Sequence, residues 1–375
     1  MTWLAALALI IWCYLLFAHG RFWQAGPVLL PRHGLRDPAG APGVAIVIPA
    51  RDEATVIEAT LKSLLSQTYS GVFRIILVDD GSTDRTGAIA HDLDDPRLTV
   101  LTGAPRPIGW SGKLWALHQG LAAAGDAELV LLTDADIVHD PAQLETLVEH
   151  ALRLDLDMVS EMVALACESR AERALVPAFV FFFQLLYPFD WVNDSLRTTA
   201  AAAGGTILLR RRALTRIGGI EAVRDALIDD VTLAAAVKRG GRIWLGHSAL
   251  ARSVRPYPAA ADIWRMITRT AYVQLRFSPW LLAATTLGMA VTWLIPPAAT
   301  LFGHGAARWL GLIAWLMLAA SYLPTLRRFG RSWLWAPFLP LIAAFYMAAT
   351  IGSAVNHHAG RGVAWKGRAY RGAGG

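Results

Sequence analysis

Three acidic clusters carry the chemistry that this sequence can offer. Arg51, Asp52 and Glu53 form the first; Asp79, Asp80, Gly81, Ser82, Thr83 and Asp84 form the second; Asp134 and Asp136 form the third. Carboxylates gathered in one place repel one another unless a cation, or donor hydroxyls and amides, accept their charge. A single Asp after a strand is as readily explained as a helix cap, and residues 82–84 read equally well that way. Three such clusters on one edge are harder to explain by capping alone.

The intervening segments place them on one edge. Residues 44–49 (VAIVIP) are a short, continuous apolar run rich in β-branched residues, the pattern of a strand buried on both faces. Residues 74–78 (RIILV), 98–101 and 129–132 (LVLL) repeat it. Residues 53–65, 83–93 and 113–123 carry apolar side chains at helical spacing. Strand and helix alternating at this pace predict an α/β fold with a mostly parallel sheet. Each acidic cluster then follows a strand directly, at the carboxyl edge where such sheets bind ligands.

The ends of the chain have a different character. Hydrophobic residues make up 55% of the sequence and charged residues 17%, and the apolar excess is concentrated at the two termini. Residues 3–18 are almost wholly apolar and are followed by His19, Arg21, Arg32 and Arg36. The stretch is either a signal peptide or a retained anchor. The absence of an early Lys or Arg and of a small-residue cleavage site favours the anchor, and the basic residues after it put the next domain in the cytoplasm. Three further apolar stretches, 280–300, 309–326 and 333–355, each approach the ~20 residues that span a bilayer. Arg327, Arg328 and Arg331 mark a cytoplasmic loop before the last. Three spans would leave the tail outside, yet it carries Arg361, Lys366, Arg368 and Arg371; Pro296, Pro297, Pro337 and Pro340 permit a broken or re-entrant helix, so the number of crossings stays open. The Phe-rich run 177–189 is too short to span and is either a buried helix or an interfacial one. The expected organisation is an anchor (1–20), a cytoplasmic domain (40–277) with an interfacial helix near 177–189, a transmembrane region (280–355) and a basic tail (356–375).

The formal charge of +6 suits an anionic membrane surface, whereas no basic stripe interleaved with aromatics points to nucleic acid. With only Cys13 and Cys167, neither a structural disulfide nor a cysteine metal site is expected.

In order along residues 44–277, IVIPARDE, VDDGSTD, the Asp134–Ala135–Asp136 motif, the Gly204–Gly205 loop and the Asp229–Asp230 pair resemble family 2 glycosyltransferases of the GT-A fold. PARDEA, GWSGKLWAL, LLTDADI, LIDDVTLA and RTAYVQLRFSP resemble more narrowly the bacterial hopanoid-associated (hopene-associated) group called HpnB. The resemblance implies a nucleotide-sugar donor, expected to be a UDP-sugar, a lipid acceptor such as a hopanoid, a Mg²⁺ or Mn²⁺ cofactor, inversion at the anomeric carbon, and the bacterial cytoplasmic membrane as location.

It also implies roles. Asp136 holds the metal, while Asp134 shares that task or reaches donor hydroxyls; Asp79 and Asp80, with Asp52 and Glu53, contact the nucleoside, and Pro49 and Arg51 belong to the same substrate-binding site. Asp230 is the candidate general base with Asp229 beside it, although a helix N-cap explains the pair too, and relatives carry Glu–Asp here. Lys113 is placed to meet the diphosphate. Trp110 either stacks on a substrate or packs down, and Gly204 and Gly205 either admit a ligand or make a plain turn. The arginine–tryptophan motif of processive relatives has no copy in WRMITRTAYVQLRFS; Arg269, Gln274 and Arg276 either cover the pyrophosphate or face lipid headgroups. His247 is either a third metal ligand or structural. A processive polysaccharide synthase and a non-catalytic membrane protein with a degenerate nucleotide-binding domain are the competing functions.

Overall fold

A computed structural model describes residues 1–31 and 40–360, together with the backbone of 364–365 and 368–369. Arg32, Arg36, Arg361, Lys366 and Arg371 lie outside the described residues, and of Arg368 only the backbone is described. The chain divides into two compact units: a helical one (Met1–Gly26, Cys167–Asp190, Pro256–Val363) and one built on a sheet (Pro27–Ala166, Trp191–Arg255, Ala364–Gly375).

The sheet unit contains β1 (Val28–Leu29), β2 (Val44–Ala50), β3 (Phe73–Asp79), β4 (Leu98–Thr102), β5 (Leu129–Thr133), β6 (Ile137–His139), β7 (Met158–Ala164), β8 (Thr206–Arg210) and β9 (Ile243–Ser253). Their order is β1-β9-β7-β8-β5-β2-β3-β4, with β6 paired to β9. β2 is parallel to both β3 and β5, and every one of its residues is buried, as its unbroken apolar run requires. Ile46, Ile48, Ile75, Leu77, Leu129 and Leu131 form the centre of one core. Helix α1 (Ile57–Leu65) covers it with Ile57, Leu61 and Leu64, and α4 (Gln143–Arg153) with Leu144, Leu147 and Val148. The sheet unit also contains helices α2 (Thr86–His91), α3 (Gly112–Ala123) and α5 (Asp229–Lys238), and a short one at Arg211–Arg216. A Cβ added at Gly120 of α3 would lie 2.3 Å from Val47 Cγ1, so only glycine lets this helix approach β2 so closely.

Two features depart from the expected run of elements. α1 starts at Ile57 rather than 53, because the chain leaves β2 through a turn in which Asp52 adopts a φ of 50° and Glu53 O accepts from Val56 N and Ile57 N. β8 is antiparallel to both β5 and β7, and β6 is antiparallel to β9. Antiparallel β8 begins at the carboxyl edge of β5, where Thr206 pairs with Thr133, and β9, parallel to β7, ends there, its Ser253 pairing with Ile137 of the short antiparallel β6.

Three helices of the helical unit, Pro279–Phe302, Ala306–Arg328 and Trp333–His358, are long and apolar enough to cross a membrane. The first passes through a π-helical turn (Ala290–Leu294) just before Pro296 and Pro297, whose missing N–H groups cannot continue a regular ladder. The N-terminal helix Thr2–Phe17 has 16 residues, about 24 Å at ~1.5 Å per residue. Its Trp12 is fully buried and donates to Thr292 O at 2.8 Å, so this helix packs on its C-terminal neighbours. The Phe-rich run lies in helix Arg170–Leu186, started by a reciprocal Ser169–Glu172 cap. Phe181 is fully buried against Phe22 and Tyr322, at ring separations of 5.3 and 5.2 Å. By contact, residues 167–190 and 256–277 group with the apolar helices.

Candidate active site

Where β2 meets β5, the chain runs outward in both directions, to β3 and β4 on one side and to β8 on the other, and the crevice beyond these carboxyl ends is the usual ligand position of an open α/β sheet. A small, tightly filled crevice lies there, lined by Pro49, Lys113, Asp134, Gly204, Asp229 and Asp230 among others.

On the β2–β3 side the acidic residues organise their own loops. Asp52 Oδ1 accepts from Thr83 N at 2.7 Å and from its hydroxyl at 3.1 Å, and the backbone bond above all holds this carboxyl below its ordinary range. Asp79 Oδ1 accepts from Ser82 N at 2.9 Å, while Asp84 accepts from Thr86 N and Ala54 N. Arg51 donates to the carbonyls of Asp80 and Gly81, and its guanidinium lies 3.9 Å from the Asp80 carboxylate, which is buried. These bonds give the motif capping and turn roles that shape the rim of the crevice.

On the β5 side a cation sits among carboxylates. Ser111 caps α3 by accepting from Leu114 N, which fixes Lys113 in the first turn. Lys113 Nζ lies 2.8 Å from Asp134 and 3.6 Å from Asp229. Burial opposes its charge, but Asp134, Asp229 and Asp230 together hold its pKa above the ordinary lysine value. Asp230, in the first turn of α5, accepts from Gly204 N at 3.0 Å and from Val231 N at 2.8 Å. Burial, then the neighbouring Asp229 charge, pushes the Asp230 carboxyl up to about 7. Burial likewise raises Asp134, against the pull of Lys113.

Asp136 is held by a residue that the sequence did not bring forward. Arg255 Nε donates to Asp136 Oδ2 at 2.7 Å, and its Nη2 donates to both oxygens of Glu53 at 2.6 and 2.8 Å. Ser253 Oγ is a further partner of Asp136 at 3.3 Å. The signal available was an arginine just beyond a long apolar strand, but recognising it required the β6–β9 register. Asp134 and Asp136 thus face different cations, and among the described residues no group of three or more His, Cys, Asp or Glu side chains is arranged to hold a metal ion. Two carboxylates still fit a small divalent ion that takes its other ligands from a substrate diphosphate and water. His247 is buried on β9, where its backbone pairs with Val28 and Met162, six residues before Ser253.

Gly205 immediately precedes β8 and Gly204 faces the cluster. Trp110 packs edge-on against Trp115 at 5.2 Å and lies 4.9 Å from His118. Arg269 and Gln274, on helix Ala260–Gln274, and Arg276 just after it belong to the helical unit, where Gln274 donates to the Tyr187 hydroxyl.

A Cβ added at Gly204 would sit 3.3 Å from both Asp230 Oδ2 and Lys113 Nζ. Gly204→Ala is therefore expected to fold normally but to push Asp230 off its backbone donor, lowering turnover by about tenfold. Thermal unfolding alongside initial rates checks both halves of that expectation.

Residues 45–218 match the family described as Glycosyl transferase family 2. Over 260 residues the chain is 28% identical to the probable glycosyltransferase YdaM of Bacillus subtilis (strain 168), covering 63% of this chain and 57% of that protein. Over 207 residues it is 34% identical to the beta-monoglucosyldiacylglycerol synthase of Nostoc sp. (strain PCC 7120), covering 54% and 43%. The chain spans 25%, 20% and 57% of the length of the first three curated relatives it matches. Among solved structures, the mannosyltransferase PcManGT from Pyrobaculum calidifontis, in complex with GDP-Man and Mn²⁺, is similar with a TM-score of 0.56 at 21% identity, over 93% of this chain and 98% of that one. The fold is GT-A: a mostly parallel α/β sheet, here with three apolar helices toward the C-terminus and a short one at the start.

Proposed function

We propose that this chain, whose residues 45–218 match glycosyl transferase family 2, transfers a single sugar from a nucleotide-sugar donor to a lipid acceptor. The observation that carries the proposal is the crevice cluster of Lys113, Asp134, Asp229, Asp230 and Gly204 at the joint carboxyl ends of β2 and β5.

In the reaction, an acceptor hydroxyl attacks the anomeric carbon, the bond from that carbon to the diphosphate oxygen breaks, and the hydroxyl proton passes to an Asp230 carboxylate oxygen. A single displacement of this kind inverts the centre. Gly204 N–H orients the base, and the Asp229 charge beside it raises its basicity. Lys113 neutralises the carboxylates facing the leaving group and stands within reach of a diphosphate. The rim formed by Arg51, Asp52, Asp79 and Asp80 receives the nucleoside. Asp136 and Asp134 would hold a Mg²⁺ or Mn²⁺ ion, which supplies charge neutralisation for the departing diphosphate.

The acceptor enters from a bilayer. Three helices of sufficient length and the name of the Nostoc relative, a beta-monoglucosyldiacylglycerol synthase, support a lipid, and the resemblance to the hopanoid-associated group makes a hopanoid the first candidate. The same features support the bacterial cytoplasmic membrane, with the sheet unit on the cytoplasmic side where Arg327, Arg328 and Arg331 would also lie.

The test is a panel of labelled nucleotide sugars, UDP-sugars first, offered to membranes from cells with and without the gene, followed by analysis of the labelled lipid. One labelled glycolipid that depends on the gene is expected. Label appearing only in a long polymer, or no gene-dependent label from any donor, would overturn the proposal.

A further inference from the structure

Behind the crevice the sheet unit buries a second set of polar groups that the transfer reaction does not use. Glu161 on β7 is fully buried, and His139, at the end of β6, is 3% exposed. The side-chain amide of Gln143, the first residue of α4, lies between them. One end is 2.7 Å from Glu161 Oε2 and the other meets His139 Nδ1. His139 Nε2 is 3.1 Å from Thr133 Oγ1, and that hydroxyl donates to Gly205 O at 2.8 Å. Ser248 of β9 also hydrogen-bonds Glu161.

The protons in this chain of contacts can be counted from its fixed end. Gly205 O only accepts, so the Thr133 hydroxyl hydrogen points to it. His139 Nε2 must then carry the hydrogen it shares with Thr133. With the Gln143 nitrogen turned to Glu161, the amide oxygen needs a hydrogen on Nδ1, making a doubly protonated imidazole beside an ionised acid. With the amide reversed, its nitrogen donates to Nδ1 and its oxygen accepts from a protonated Glu161. Both arrangements contain one proton more than an ionised Glu161 beside a neutral His139. A buried imidazolium is the costlier of the two. Burial pushes both groups toward their neutral forms, His139 down to about 4 and Glu161 up to about 7.

We propose that Glu161, Gln143, His139 and Thr133 form a buried hydrogen-bond wire that keeps a proton on Glu161 and positions the two loops bearing Asp134 and Gly204. Thr133 immediately precedes Asp134. Gly205, whose carbonyl ends the wire, immediately follows Gly204, whose N–H holds Asp230. Anchoring both at one hydroxyl fixes the separation between the acid motif and the candidate base. These four are positioning residues, and their effect on turnover rests on the proposed transferase reaction; the proton count does not.

The experiment is infrared spectroscopy on the full chain in detergent at neutral pH, without donor, with glutamate carboxyls isotope-labelled. A protonated-carboxyl band that is present in the native protein and missing from Glu161→Gln is expected. An identical spectrum in the two, or an ionised Glu161 beside a doubly protonated His139, would overturn the proposal. In rate measurements, Glu161→Leu, which ends the wire, lowers kcat by about tenfold while donor KM moves less than about threefold, and Glu161→Gln restores most of the loss. Equal losses in Gln and Leu variants would count against positioning. Because the band is read without donor, a native protein that shows it yet transfers no sugar would fault the proposed function and leave the wire standing.

Discussion

Asp230→Asn lowers kcat by about 10²- to 10⁴-fold, the usual worth of a positioned general base, with donor KM within a few-fold of the native value. Asn keeps the size of Asp and can still accept from Gly204 N through its one carbonyl oxygen, giving up the bond from Val231 N, while the proton acceptor is lost. Since burial and Asp229 push the native carboxyl up to about 7, the rate rises as pH passes upward through about 7, because only the ionised form can take the acceptor proton. Stability runs the other way. The folded state binds the Asp230 proton more tightly than the unfolded chain, whose Asp titrates near ~4, so this contribution is complete below about 4 and is lost as pH rises to about 7. Melting temperatures across that window should fall with pH in the native protein more steeply than in Asp230→Asn. A variant with native rates, or parallel melting curves, would remove Asp230 from the role of base.

The strands that form the floor of the crevice are legible because β2, β3 and β5 are buried on both faces and so read as unbroken apolar runs. The acidic residues that follow them locate the edge for the same reason. What the sequence conceals is everything delivered by return strands. Arg255 meets Asp136 only because β9 runs antiparallel to β6, joining positions 119 apart, and no local pattern encodes that register. Glu161 is not singled out by the sequence, because its partners Gln143 and His139 come from other elements. The polar rim was visible as chemistry but not as architecture: Asp52, Asp79 and Asp84 spend hydrogen-bonding capacity on Thr83, Ser82, Thr86 and Ala54, which residue type alone does not reveal. The Phe-rich run is ambiguous from hydropathy because a packed helix and an interfacial helix bury equally apolar faces, and its Phe181 packs against Phe22 and Tyr322.

Asp136→Ala lowers kcat/KM by about 10³-fold, the effect of losing several kcal/mol of charge stabilisation at the leaving group. The companion readout is Mn²⁺ binding followed by electron paramagnetic resonance in the presence of nucleoside diphosphate, which the variant should weaken sharply. Asp134 cannot replace the missing ligand by itself, because Lys113 already holds it at 2.8 Å. Arg255 makes the outcome informative. It occupies Asp136 at 2.7 Å while gripping Glu53 with its other nitrogen, so an arriving divalent ion competes with a guanidinium for the same carboxylate. Removing that competitor in Arg255→Gln should tighten Mn²⁺ binding, whereas removing the carboxylate should weaken it, and opposite signs from two residues in direct contact are not produced by general loss of structure. If Asp136→Ala transfers sugar at the native rate, or binds Mn²⁺ as the native chain does, the acid motif has no part in holding a cation, and Arg255 and Lys113 would be the charges left to face the diphosphate.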